Sequence, residues 1–512
     1  MMRVIKNNTV ALMILTFVLN VVSFGKNLVI AYFYGTNTEY DVFVLAQFIP
    51  LLISGLIMGS LQGALIPIII SGKDKYGELE MLKIYKSISL LVALSVTVIA
   101  IAFSICSYQL LKAIPIGFEG EHFLLLVSLS SVLIFVLILN CIVVLLRNLY
   151  NAKHQFILPT FSTMFGYVAS ILYIAIDPGK DMYTLCFSLL FGTAVEAMIQ
   201  IVFLRRSGIV LPKGYRFKNP DVKRALLLTI PLMLSATFGL ASPMIGQILA
   251  SNLYEGAVSS LNYAEKLDSM LRQIFIVTIS NTMLSSFTTW VSRGDIKTLK
   301  EKVNDIFALY GMILLPLAVY IVHFSPYIVK LLFERGEFTS VSTRYTSSVW
   351  GIYSLGLFSF LCGMILARIY NALQDAKYQV LVSLIGLFTN IGSSLVFMKH
   401  YGHNGIALGT VLTSGVTTVL LYYFMTKKIG SILTRRTLIV LMKVFATNGL
   451  LFGLVYLLKR LFIPSGMLAE FIWIVISFMF LTAAASVLYK WLGLNPTLAT
   501  RRVWSERLRR EA

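Results

Sequence analysis

Residues 147–155 read RNLYNAKHQ, and residues 368–379 read RIYNALQDAKYQ. The two triplets, Tyr150-Asn151-Ala152 and Tyr370-Asn371-Ala372, stand 220 residues apart. Chance similarity between two short basic loops is the bland explanation. An Arg, a Tyr-Asn-Ala, a Lys and a Gln in one order favour duplication. Each copy lies between apolar stretches, so the repeating unit is a set of membrane spans rather than a soluble domain.

Working outward from these loops, about fourteen stretches reach the roughly 20 apolar residues a helix needs to cross a hydrocarbon core. Their approximate cores are 10–34, 42–70, 87–111, 122–146, 157–176, 184–204, 225–250, 257–291, 306–331, 346–367, 379–399, 404–425, 438–458 and 466–489. Tyr150 follows the fourth and Tyr370 the tenth, so six spans occur twice. Copies that begin on the same side are parallel, related by an axis along the membrane normal. The expectation is an all-α polytopic membrane protein of about 14 transmembrane helices. Two pseudo-symmetric six-helix lobes, 1–205 and 225–427, are joined by a basic cytoplasmic linker, 206–224. A helix pair at 428–489 and a cytoplasmic tail at 490–512 complete the chain.

Composition agrees. Of 512 residues 57% are hydrophobic and 13% charged, with a mean hydropathy of +0.82. Soluble proteins carry about 25% charge. The 43 Lys and Arg against 23 Asp and Glu give a formal +20. That balance suggests nucleic acid only if the cations cluster on a soluble element, and here they fall in short loops. Placing the N-terminus inside puts 31 of the 43 in cytoplasmic segments and eight on the far side, which predicts cytoplasmic termini. The first span is too long for a signal core and lacks a small-residue cleavage pattern, so it is expected to be retained. Cys106, Cys141, Cys186 and Cys362 lie in apolar runs without CxxC spacing, which argues against a disulfide framework or a zinc site.

Four cations, Lys26, Lys266, Arg272 and Lys443, fall within spans. Ionisable groups at that depth normally face a cavity or a partner. On the first span Thr16, Asn20, Ser23 and Asn27 share one helical face, with Lys26 at its edge. On the second, Gln47, Ser54 and Gln62 form a looser stripe, and Gly55, Gly59 and Gly63 form a ridge suited to close packing. The eighth span is the most polar. Glu265, Asp268, Ser269 and Arg272 share a face, with Lys266, Gln273 and Ser280 alongside. An intrahelical ion pair is the plain alternative for Glu265, Asp268 and Arg272, and snorkelling for the two lysines. Glu196 and Lys443 stand alone and suit local pairing or snorkelling. His400-Tyr401-Gly402-His403 lacks a thiol or carboxylate companion and reads as a turn, so neither metal nor cofactor is expected. No GxxxxGK[ST] or HExxH occurs, and no soluble segment is long enough for a nucleotide-binding domain, which argues for a transporter rather than an enzyme.

Three stretches carry a family resemblance. Residues 24–69, FGKNLVIAYFYGTNTEYDVFVLAQFIPLLISGLIMGSLQGALIPII, are similar to the opening of the MurJ (MviN) lipid II flippases at Phe24, Lys26, Ala31, Gly35, Asp41, Phe43, Ala46, Pro50, Gly59 and Pro67. YAEKLDSMLRQIFIVTISNTMLSSF at 263–287 resembles a second family segment. ERGEFTSVSTRYT at 334–346, ARIYNALQDAKYQV at 367–380 and YGHNGIALGT at 401–410 resemble a third. The resemblance implies a flippase of the multidrug/oligosaccharidyl-lipid/polysaccharide exporter superfamily, with a central cationic cavity and a lipid-tail groove at the last two helices. It further implies alternating access that moves an undecaprenyl-diphosphate-linked glycan to the outer leaflet of the bacterial cytoplasmic membrane. Lys26 and Lys266 stand where the family has cavity arginines and are expected to contact the diphosphate; Asp41 matches an acidic gating residue. Two further arginine positions are Asn20 and Ser54 here, and an acidic sodium-site position is Gly246.

The expected substrate is lipid II for peptidoglycan synthesis, carried by a monomer among membrane lipids and beside the envelope-synthesis machinery. The weaker cationic set leaves open a capsule, exopolysaccharide or O-antigen repeat unit. A multidrug or cation antiporter would use Asp41, Glu196, Glu265 or Asp268. A non-transporting scaffold would use the basic loops and the tail, and would tolerate apolar replacement of the intramembrane polar faces.

Overall fold

The protein was analysed as a computed structural model that describes residues 2–153, 155–177, 179–206, 212–373, 375, 377–461, 464 and 466–494. These residues form helices and connecting turns, with no strand among them. A bilayer explains this: its core offers no water to backbone N–H and C=O groups, and a helix satisfies them within one segment.

Each apolar stretch read from the sequence coincides with one helix or with a broken one. The single helices are α1 (Met2–Tyr34), α4 (Glu78–Lys112), α5 (Gly120–Ala152), α6 (Ile157–Ile176), α7 (Met182–Arg206), α8 (Pro220–Ala250), α11 (Ile296–Phe333), α14 (Lys377–Tyr401), α15 (His403–Ile429), α16 (Arg435–Leu461) and α17 (Met467–Trp491). The second stretch is broken into α2 (Thr38–Ala46) and α3 (Phe48–Tyr76). The eighth runs as α9 (Ala257–Arg272), a π-helical turn (Gln273–Val277) and α10 (Thr278–Ser292). The tenth is α12 (Ser340–Leu355) and α13 (Leu357–Ala372), bent by 48° at Gly356. Among the described residues eleven helices are long and apolar enough to cross a membrane, twelve if the bent pair is one span. The remaining two stretches are α8, whose described apolar run is Ala241–Ala250, and the polar α9 to α10.

The chain groups into two compact units: Met1–Ser259 with Arg335–Phe338, and Ser260–Glu334 with Thr339–Ala512. In the first, a core on α3, α4 and α5 includes Leu65, Ile88, Leu149 and the fully buried Tyr150. In the second, α11 packs against α16 and α17 through Tyr320, Phe324, Val444, Leu481 and Tyr489.

The repeated triplets are two copies of one helix ending. Tyr150 closes α5, its hydroxyl donating to the Gln200 carbonyl on α7 at 2.7 Å; Tyr370 closes α13, donating to the Leu421 carbonyl on α15 at 3.2 Å. The Tyr150 carbonyl accepts from Gln155 N–H at 2.9 Å, and that of Tyr370 from Asp375 N–H at 3.1 Å. Both bonds span five residues, the pattern that satisfies orphan carbonyls at a helix C-terminus. His403 opens α15 directly after Gly402, which turns the chain at φ +55°, so the His-Tyr-Gly-His stretch is a turn.

Candidate functional site

In the first unit the polar face of α1 packs toward α6. Thr16 turns its hydroxyl back to the Leu12 carbonyl at 2.7 Å. Lys26 lies with Nζ 4.8 Å from the centre of the Tyr167 ring, a cation over an aromatic face. Among the described residues Lys26 has no carboxylate at ion-pair distance. Ser23 lies beside the Tyr167 hydroxyl, and Glu196 and Arg147 are near enough to act on it electrostatically. Asn20, Asn27 and Gln47 are half-buried and Ser54 is buried.

Beside Tyr167 is a polar cluster that the sequence did not reveal. Arg147 of α5, counted there as a loop cation, donates through Nη2 to Glu196 of α7 and to Thr163 of α6, both at 2.9 Å. Thr163 donates to the same Glu196 oxygen at 2.7 Å, and Gln200 reaches Ser162 at 3.0 Å. Glu196 is 8% exposed. The helices cross closely enough for this because Gly166 faces Gly192: a Cβ on Gly166 would lie 2.8 Å from the Gly192 carbonyl oxygen and 3.2 Å from Glu196 Cβ. The available signal was Gly192, Glu196 and Gln200 at four-residue spacing on α7. Nothing in the sequence paired that face with Arg147 or marked Tyr167.

Asp41 on α2 is 2% exposed and binds backbone. Its carboxylate accepts from Gly256 N–H at 2.9 Å and Ser259 N–H at 2.7 Å, donors left open at the start of α9. Negative charge at a helix N-terminus is favourable. Around it Thr38 N–H donates to Glu255 at 3.1 Å and Glu337 N–H to the Tyr32 carbonyl at 2.9 Å. Asp41 thus fastens the turn between α1 and α2 to the turn before α9.

In the second unit Asp268, 1% exposed, pairs with Arg272 one turn on at 2.6 Å. This is the plain ion pair weighed from spacing alone. The Arg272 guanidinium carbon also lies 4.8 Å from the Phe360 ring centre, and Tyr353 is near enough to feel the charges of Glu265 and Asp268. Lys266 Nζ lies 5.7 Å from the Tyr263 ring centre, and Ser269 donates to the Lys266 carbonyl at 2.9 Å. Directly after Arg272 comes the π-turn, an irregularity frequent at functional sites. Lys443 donates to the Leu492 carbonyl at the end of α17 at 2.9 Å, a local pairing. Among the described residues no group of three or more His, Cys, Asp or Glu is placed to hold a metal. Gln62, Ser280, Gly59 and Gly63 lie outside the described side chains, and 495–512 outside the described residues.

Comparison with known proteins follows this geometry. The family model "Lipid II flippase MurJ" matches residues 30–477. A probable lipid II flippase MurJ of Rhizobium tropici is 26% identical over 461 residues, covering 85% of this chain and 84% of that protein. One from Rickettsia prowazekii is 26% identical over 342 residues, covering 66% and 67%. A solved structure of lipid II flippase MurJ in an inward closed conformation superposes with a TM-score of 0.79 at 19% identity, covering 94% of this chain and 99% of that one. An inward-facing multidrug resistance MATE family transporter of the MOP superfamily gives 0.65 at 15% identity, over 81% and 95%. The chain therefore belongs to the lipid II flippase MurJ family, a group of multi-pass membrane transporters.

Proposed function

We propose that this protein carries an undecaprenyl-diphosphate-linked glycan, lipid II for peptidoglycan synthesis, across the bacterial cytoplasmic membrane by alternating access of two lobes. The observation that carries the reading is Lys26, a cation at membrane depth that rests on a ring and has no acid partner among the described residues. A diphosphate leaving the head-group layer loses hydration, and a cation whose charge is not already neutralised offsets part of that loss. In this reading Lys266 on α9 is a second point charge for the diphosphate. Asp268 on the same helix is already paired with Arg272 one turn on.

Asp41 is the gating residue in this reading. Its two backbone bonds fasten one end of α9, and letting go of them frees the helix that carries Lys266. Both termini are cytoplasmic, 1–205 and 225–427 act as the lobes, and the protein works as a monomer beside the envelope-synthesis machinery. Catalysis and cofactors have no part in it.

The test is an accessibility assay on cells depleted of the protein. Lipid II is expected to accumulate at the inner face and to reach the outer face again when the gene is restored. Asn20 and Ser54, where the family has arginines, favour a second reading with a different lipid-linked glycan. Accumulation of another undecaprenyl-linked intermediate, with lipid II unaffected, would select it. Unchanged distribution of all such intermediates would overturn both.

A further inference from the structure

The segment Pro212–Asn219, between α7 and α8, is fastened to the start of α4. Arg216 N–H donates to Ser87 Oγ at 2.6 Å, and its guanidinium bonds Glu80 through Nε at 2.8 Å and Nη2 at 3.3 Å. Lys86 Nζ reaches the Pro212 carbonyl at 3.3 Å, and Asn219 caps α8 by accepting from Asp221 N–H at 2.8 Å. The Glu80 carboxylate holds Arg216 above its ordinary pKa, so the anchor stays charged.

With Arg216 held, its neighbours are left outside. Tyr215 and Phe217 stack on one another with ring centres 5.2 Å apart and planes 12° apart, yet are 42% and 46% exposed. Lys86 supports the Tyr215 ring at 4.5 Å. Lys213 and Lys218 flank the pair, exposed and without an ion pair among the described residues. Asp221 is the one acid in 205–224, against seven Lys and Arg.

A fixed, outward aromatic pair between free lysines suits one environment in particular. The segment follows α7 and is bonded to the start of α4, two helices long and apolar enough to cross a membrane, which suits head-group depth. Tyrosine and other amphipathic rings settle there, and basic juxtamembrane residues are drawn to anionic lipid. The charge balance of the linker favours a negative surface over a mixed-charge protein face.

We propose that residues 213–218 form a binding site for anionic lipid head groups, in which Tyr215 and Phe217 enter the interface and Lys213 and Lys218 meet the phosphates. Arg216 is the anchor that sets the platform and takes no part in lipid contact. Occupation ties the start of α4 to the leaflet through the Glu80 and Ser87 bonds.

The test compares hydrogen–deuterium exchange of 213–218 in the full-length protein in nanodiscs of zwitterionic lipid and in nanodiscs with about 30% anionic lipid. Exchange is expected to slow by about fivefold per lysine engaged, and high salt should reverse the effect. Lys213→Gln with Lys218→Gln should remove the dependence on lipid charge while leaving the melting temperature unchanged. Tyr215→Ser with Phe217→Ser should speed exchange in both lipids. Equal exchange in the two lipids, or protection that appears only when soluble protein is added, would overturn the proposal.

Discussion

The two units handle intramembrane charge differently. In the first, Glu196 is bound by Arg147 and Thr163 across three helices, and Lys26 rests on the Tyr167 ring with no carboxylate at ion-pair distance among the described residues. In the second, acids and cations share one helix, and Asp268 neutralises Arg272 a turn away. The contrast teaches that an intramembrane acid can be neutralised in two ways. Glu196 is held by a cation from another helix, and Asp268 by a cation on its own helix.

Removing Glu196 should break this comparison most sharply. Glu196→Ala strands Arg147 between helices and is expected to cost about 3–5 kcal/mol, seen as a large fall in melting temperature in detergent. Asp268→Ala should cost less, because Arg272 keeps the Phe360 face. Equal losses would refute the distinction between an interhelical and an intrahelical pair. Asp41→Asn comes next. It weakens two charge-assisted bonds to the start of α9, and about 1.5–3 kcal/mol is expected. Cysteine pairs across the turns at Thr38 and Glu255 should crosslink less readily in that variant; unchanged crosslinking would remove Asp41 from the gate.

Tyr167→Leu takes the aromatic face from Lys26 and should weaken transport by an amount worth about 0.5–2 kcal/mol, while the protein still folds. Tyr167→Phe keeps the ring and should retain most of the activity. If both variants lose activity equally, the hydroxyl rather than the ring positions the lysine; if both keep it, Tyr167 has no part in transport. The smallest effect is a matched pair. Tyr150→Phe and Tyr370→Phe each remove one buried hydroxyl bond to a backbone carbonyl, and losses of about 1 kcal/mol each are expected. Clearly unequal losses would mean the two repeat loops are not equivalent in energy.

Much of the fold was legible because the membrane simplifies the code. Apolar stretches of spanning length mark helices directly, and the Tyr-Asn-Ala copies mark matching helix ends. The breaks were not legible. Gly356 bends the tenth stretch and a π-turn interrupts the eighth, and neither leaves a mark in hydropathy. Of the site, the polar face of α9 and the position of Lys26 could be read from spacing. The pairing of Arg147 with Glu196 could not, because it depends on how three helices cross at Gly166 and Gly192. Asp41 was legible only as a family position. Its work is done on backbone N–H groups, which every sequence has and none advertises.

The most direct measurement is growth and outer-face lipid II in a depletion strain that carries Lys26→Ala or Lys266→Ala, with insertion and melting temperature checked in the same membranes. Each variant should insert normally, fail to support growth and leave lipid II at the inner face. Normal growth of both would show that these two lysines do not carry the diphosphate.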